Sequence, residues 1–267
     1  MSIYRFDVEE KMCLLFIAFN DHPTYKLVLA ANRDEFYDRP TKPAAFWEET
    51  PDLLAGRDLK AGGTWLGITR KGKIAAITNY RQPQLEKDQA PSRGKLVSNF
   101  LEGNKDADAY LGYLSMNGNR YNGFNLIFGD RSRICWYSNR GGQNHNISPG
   151  QYGLSNHLLD TPWPKVVRVK EAMERLLPER PVLIPEEIFS ILRDRRLADD
   201  ASLPDTGIGF EREKVLSPIF IASPGYGTRS STIVSIDRED RVIFIERTYN
   251  EDPGHATTVT YEFQIES

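Results

Sequence analysis

The sequence predicts an α+β fold in which antiparallel sheets pack against each other and helices lie outside them. Three observations predict it. Apolar runs come as hairpin pairs, stretches with helical periodicity come two at a time between them, and the C-terminal end returns to strands. No linker, repeat or composition shift divides the chain, so residues 12–267 read as one domain behind an extension of residues 1–11.

Each element follows in order. Cys13–Phe19 and Tyr25–Ala31 are apolar runs separated by a turn cluster, residues 20–24, and read as a first hairpin. Residues 35–51 carry three prolines, which argues for a surface loop. Thr64–Thr69 and Lys73–Tyr80 form the clearest hairpin, with Gly72 supplying the positive φ of a short turn. Gly94–Leu101 and Ala107–Met116 space their apolar residues as helices do. Residues 123–139 read as another hairpin, turning near Gly129 and Asp130. Residues 160–177 are a strong helix, capped by Asp160 or Thr161 and with proline near the first turn. Residues 185–196 are a second helix. Strands follow at 217–223, at 231–249 with a turn at Arg238–Asp240, and at 257–265.

Composition excludes several classes. Hydrophobic residues make up 40% and charged residues 27%, enough for a large core. The net charge of −3, from 34 basic and 37 acidic residues, gives no footprint for nucleic acid or an anionic membrane. No apolar run approaches a membrane span, and residues 1–11 carry three acids and no apolar stretch, so they are not a secretory signal. Two cysteines, Cys13 and Cys135, argue against a disulfide framework and for a reducing compartment, hence the cytoplasm. The four histidines are scattered, so neither a metal site nor a cofactor is expected.

Chemistry gathers where apolar strands end. Asn32, Arg33, Asp34 and Glu35 follow the second run, Asn79 ends another, Asn156 stands between a strand and a helix, and Arg229 follows a glycine-rich bend. Met12 reads as a second start. If the mature chain begins at Cys13, one residue holds both a thiol nucleophile and an α-amine, whose pKa of about 8 suits a base. Nearby arginines favour thiolate, and asparagine N–H groups stabilise an oxyanion. Bland readings stand beside these. Cys13 also reads as a small buried hydrophobe, and Cys135 beside Trp136 as core. Arg33 and Asp34 read as a local ion pair, and Asn79 and Asn156 as turn or cap residues. Arg229 reads as a backbone brace, His157 as structural, and Gly62, Gly63 and Gly67 as packing residues around Trp65.

The stretches MCLLF, LAANRDEFYDRP, AGGTWLGI, AAITNYRQP, YNGFNLI, YGLSN, TPWPK and PGYGTRSSTIV resemble the NRDE family, also called the transport and Golgi organisation protein 2 family. The resemblance runs from Met12 nearly to the C-terminus. Members resemble N-terminal nucleophile hydrolases of the N-terminal-cysteine branch, which includes bile salt hydrolase and penicillin V acylase. The resemblance implies a four-layer αββα sandwich and hydrolysis of a non-peptide C–N bond. It implies catalytic roles for Cys13, Arg33, Asp34, Asn79, Asn156 and Arg229, with Arg33, Arg229, Trp65 and His157 meeting a small acyl or hydrophobic anionic ligand. It equally implies a non-catalytic alternative: binding or movement of haem, acyl-CoA or lipid, linked to secretory organisation. Family members begin at the equivalent of Met12, so residues 1–11 are expected to reflect a start assigned too early, with a propeptide or a permanently blocked amine as alternatives.

Overall fold

The computed structural model describes residues 12–141, 145–250 and 254–266. The expectations for residues 1–11 lie outside them. In chain order the strands and helices are β1 (Met12–Phe19), β2 (Tyr25–Phe36), β3 (Thr41–Phe46), β4 (Leu53–Asp58), β5 (Leu66–Thr69), β6 (Ile74–Asn79), α1 (Gly94–Glu102) and α2 (Ala107–Asn117). Then come β7 (Phe124–Gly129), β8 (Ile134–Ser138), β9 (His145–Asn146), β10 (Gly150–Leu154), α3 (Pro164–Leu176), α4 (Pro185–Leu192) and α5 (Phe210–Val215). The chain closes with β11 (Ala222–Ser223), β12 (Tyr226–Asp237), β13 (Arg241–Tyr249) and β14 (Ala256–Gln264).

Among the described residues these strands make two sheets. One runs β10-β1-β2-β12-β13-β14, with β11 on β12, and the other β3-β4-β5-β6-β7-β8-β9. Neighbours pair antiparallel throughout. Strand alternation then sorts the apolar residues into three cores. Leu15, Ile17, Leu27 and Leu29 meet Leu54, Ile68, Ile127 and Trp136 between the sheets. Leu14, Phe16, Val28 and Ala30 meet Val166, Val169 and Phe189 of α3 and α4. Leu53, Ala75 and Phe128 meet Leu96, Phe100 and Tyr110 of α1 and α2. The layers are therefore helix, sheet, sheet, helix, the expected αββα order.

Four local expectations are corrected. β2 continues through Asn32–Phe36, because β1 pairs along one side of it and β12 along the other. The proline-bearing segment contains β3, an edge strand whose ladder on β4 is broken between Lys42 and Ala45, where Pro43 needs no partner. Residues 217–221 form no strand. The Phe220 N–H bonds Asp194 O, the Ile221 N–H bonds the Thr228 hydroxyl, and Ile219 O accepts from Asn32, so the backbone is satisfied without a ladder. Helix α3 is entered through Trp163 and Pro164. Asp160, expected as a cap, accepts instead from the Gly153 N–H and Lys170.

The glycines near Trp65 show why small residues stand there. A Cβ on Gly63 would lie 2.5 Å from the Gly94 carbonyl carbon, and one on Gly67 would lie 2.8 Å from Ala55 Cβ. Gly112 is the contrast: it is exposed within α2, and a Cβ there meets nothing within 4 Å. Gly63→Ala is expected to lose about 1–3 kcal/mol in urea unfolding, as overpacking does. Gly112→Ala is expected to gain about 0.5–1 kcal/mol from helix propensity. Equal effects at the two positions would refute this packing account.

Candidate active site

Cys13 and Arg33 are paired across β1 and β2, as are Met12 and Asp34. Leu15 and Ile17 face the inter-sheet core, so Cys13, two residues earlier, faces it too. On β2, Ala31 faces that core and Ala30 faces the helices. Arg33 and Glu35 therefore point between the sheets, while Asn32 and Asp34 point to the helix layer. A local Arg33–Asp34 ion pair is ruled out by this alternation. Asn32 instead donates to Leu192 O and Ile219 O, both at 2.8 Å. Asp34 Oδ1 accepts from the Thr228 hydroxyl at 2.6 Å.

A cavity of about 310 Å³ opens where the inter-sheet core stops. The first sheet contributes Cys13, Arg33, Asp34 and Glu35; the second contributes Asp58, Ile77 and Asn79; Trp65, just ahead of β5, and the loop entering α1 complete the wall. Arg33 stacks over the Trp65 ring, 4.3 Å from its centroid, and reaches Glu35 at 3.5 Å. Its Nη1 is buried with no hydrogen-bond partner among the described residues. Arg39 joins Glu35 at 3.4 Å and grips Asp58 Oδ2 at 2.7 and 2.9 Å. Burial works to raise the Asp58 carboxyl, but bonds from Arg39 and from the Ala61 and Lys60 amides outweigh it and hold it below its ordinary value. Arg39 and Asp58 escaped the sequence reading because they belong to a loop and a strand end whose union only the fold creates.

Behind the cavity a buried polar seam joins the two sheets. Asn156 Nδ2 donates to Asn79 O at 2.9 Å, and the Arg81 N–H bonds Asn156 O at 2.7 Å. The Ser155 hydroxyl lies 3.1 Å from Asn156 Oδ1 and 3.0 Å from Cys13 O. Thr78 donates to Ser155 O at 2.6 Å. Asn156 thus lies outside the cavity lining and ties the Cys13 strand to the Asn79 strand. His157 is also outside it, held by Tyr80 at 2.8 Å and Thr161 at 2.9 Å, and burial keeps its pKa below the ordinary value. Arg229 sits at the β-bulge of β12 and donates to Phe36 O and Arg39 O at 2.7 and 3.1 Å, bracing the turn that carries Arg39. With Arg33, Ser230 and Glu246 it lines a separate cavity of about 20 Å³.

The thiol is not pre-ionised. Burial, then the Asp34 charge, pushes Cys13 up to about 12, while Arg33 and the Asp34 backbone N–H pull the other way. Burial also pushes Asp34 up to about 6, against the opposing effects of Lys165 and the Thr228 hydroxyl. Lys165 is buried in the first turn of α3. Its signal in the sequence was a charged residue on the apolar stripe of a helix. Cys135 is fully buried core. No group of three His, Cys, Asp or Glu among the described residues could hold a metal ion. No helix among them is long and apolar enough to cross a membrane.

Fold and site together define an αββα protein in which a cysteine, an arginine and an asparagine line one cavity at the end of the two sheets. The chain matches Transport and Golgi organisation 2 over residues 12–251 and belongs to that family. It is 42% identical over 277 residues to the Transport and Golgi organization protein 2 homolog of Homo sapiens, covering 96% of this chain and all of that one. It is 40% identical over 277 residues to the Mus musculus homolog, with the same coverage. Among solved structures, it aligns to a Caenorhabditis elegans N-acylethanolamine-hydrolyzing acid amidase ortholog at 8% identity and a TM-score of 0.46, covering 83% of this chain and 92% of the other.

Glu246 gives the pH test of this region. It accepts from the Ala44 N–H at 2.7 Å, yet burial pushes its carboxyl from 4.5 up to about 7. Between those values the folded chain holds a proton that the unfolded chain has lost, so stability falls as pH rises through the window. The fall is on the order of 3 kcal/mol. Glu246→Gln removes it. Its unfolding free energy relative to wild type is therefore expected to climb between about pH 4.5 and 7 and to level off above. Asp34 and His157 titrate in both proteins and cancel in the difference. A difference that is flat with pH would refute the assignment.

Proposed function

We propose that the protein is an amidohydrolase that uses Cys13, as its mature N-terminus, to cleave a non-peptide C–N bond of a small acyl substrate. The observation that carries this is the shared cavity: Cys13 and Arg33, register neighbours on one sheet, and Asn79 at the end of a strand of the other line the same space of about 310 Å³. With its thiol up at about 12, Cys13 needs a base. The seam histidine His157 is engaged by Tyr80 and Thr161, and the α-amine of Cys13 would supply the base on the same residue.

The sulfur attacks the substrate carbonyl and forms an S–C bond, while the thiol proton passes to the α-amine. The resulting oxyanion is met by Asn79, and such a donor is worth about 3 kcal/mol. Asp34 orients the α-ammonium, and Asn156 and Arg229 hold the Asn79 strand and the Arg39 turn in place. The C–N bond then breaks as the α-ammonium returns its proton to the leaving amine. Water adds to the thioester with the amine taking its proton, the C–S bond breaks, and the thiol is re-formed. Arg33, stacked on Trp65 and with an Nη1 that has no hydrogen-bond partner among the described residues, suits a carboxylate or similar anion on the substrate. A free thiol suits a reducing compartment such as the cytoplasm.

One observation favours a second reading, in which the same cavity binds a hydrophobic anion such as acyl-CoA or haem without turnover. If residues precede Cys13, no α-amine exists and a thiol held at about 12 is inert at neutral pH.

Native protein is expected to begin at Cys13 by intact mass and to release amine from N-acyl aminomethylcoumarins of graded chain length. Cys13→Ala is expected to lose the rate by roughly a thousandfold or more. It also loses the acyl adduct seen by mass on quenching. Unchanged hydrolysis in Cys13→Ala ends the hydrolase reading; a native start ahead of Cys13 with micromolar acyl-CoA or haem binding replaces it with the second.

A further inference from the structure

Helix α3 buries Lys165, Val166, Val169 and Met173. Val169 and Met173 lie one and two turns beyond Lys165 and belong to the core against β1 and β2. A leucine or methionine at 165 would complete that apolar stripe. A lysine there is costly, because a buried ammonium without partners loses several kcal/mol of hydration. Its Nζ is buried with no hydrogen-bond partner among the described residues. Asp34 Oδ2 is in the same state, and both residues are almost wholly inaccessible.

The two are not hydrogen-bonded to each other, but both are buried on the helix-facing side of the first sheet. Lys165 exerts the largest charge effect on Asp34, and Asp34 the largest on Lys165. The other groups facing Lys165 are Arg81 and Arg168, both cations, and Cys13. Arg81 is taken by Glu213 and Arg168 lies 3.6 Å from Asp194, so neither acid is left to serve Lys165. Facing Asp34 are also Arg33, Glu35 and the Thr228 hydroxyl. Arg33 is the weaker of its two cations and points to the other face of β2, towards Glu35 and Trp65.

We propose that Lys165 is a positioning residue of the candidate site, its buried ammonium holding Asp34 as the carboxylate that orients the Cys13 α-amine. The use made of the carboxylate rests on the hydrolase reading; the hold of Lys165 on Asp34 belongs to the folded chain either way. The register supports the geometry, since Asp34 stands opposite Met12, beside the point where an amine of Cys13 would begin. Without Lys165, a carboxyl buried to this degree takes up its proton at neutral pH and can no longer attract an ammonium.

The test is the titration of Asp34 followed by carboxyl carbon NMR in the full chain. Wild type is expected to titrate near pH 6. Lys165→Met is expected to raise that midpoint by about one unit or more, and Lys165→Arg to leave it close to wild type. In protein beginning at Cys13, the acid limb of kcat/KM moves with the same midpoint, which a merely structural lysine would not cause. An Asp34 midpoint unmoved in Lys165→Met overturns the proposal whatever the activity. If Lys165→Met does not fold, Asp34→Asn serves: the Lys165 midpoint, near pH 8 in wild type, is expected to fall, and an unmoved one overturns the proposal. Failure of the hydrolase reading looks different: wild type hydrolyses no amide, while Asp34 still answers to Lys165.

Discussion

The whole site depends on β2 remaining a strand through four consecutive polar residues. With β1 on one side and β12 on the other, its backbone N–H and C=O groups are satisfied by the ladder, so side chains must alternate between faces. That alternation divides Asn32-Arg33-Asp34-Glu35 into two pairs with separate tasks. Asn32 and Asp34 enter the helix layer, where Leu192 O, Ile219 O and Thr228 receive them. Arg33 and Glu35 enter the space between the sheets, where Trp65 and Arg39 do. A slip of one residue would exchange the pairs and leave both sets of polar atoms facing apolar neighbours.

The cavity exists because the inter-sheet core ends one residue short of Cys13. Leu15 is still core, and beyond it the two sheets are joined by hydrogen bonds instead of apolar contact. The Asn79–Asn156–Ser155–Cys13 seam fixes the distance between sheets without filling the space in front of it. Buried polar seams of this kind are specific because each member is satisfied only in one arrangement. They also explain why Asn156 is wholly buried: its amide is used on the Asn79 backbone, which in turn sets where the Asn79 side chain stands.

Much of this was legible in the sequence. The hairpins at residues 64–80 and 123–139 and helices α1 to α4 follow from periodicity and turn residues that need no tertiary information. The continuation of β2 was not legible, because a polar run after an apolar one reads as a strand end unless neighbours on both sides are known. β3 was hidden by Pro43, which an edge strand tolerates. Residues 217–221 have strand composition, yet their backbone bonds go to Asp194, Asn32 and Thr228, partners distant in sequence. Cys13, Arg33, Asp34, Asn79 and Trp65 could be singled out and do share a cavity. Lys165 offered only a charge on an apolar helical stripe, which reads as solvated until that stripe is shown to be core.

A chain of charges runs on each face of β2, and between the sheets it alternates strictly in sign. Between the sheets, Arg33 meets Glu35, Glu35 meets Arg39, and Arg39 meets Asp58. On the helix side, Asp34 faces Lys165, Lys165 faces Arg81, and Arg81 binds Glu213. In neither chain do like charges meet without an opposite charge beside them, which is the condition for keeping so many ions buried. Cys13 is where the two chains meet. Its side chain shares the inter-sheet face with Arg33, while the backbone on its N-terminal side pairs opposite Asp34. In the proposed reaction the thiol and the amine of one residue therefore sit in different fields: a guanidinium favours sulfur as anion, and a carboxylate favours nitrogen as cation. Proton transfer from sulfur to nitrogen is then helped by Arg33 at one end and by Asp34 at the other, against the burial and the Asp34 charge that hold the thiol up.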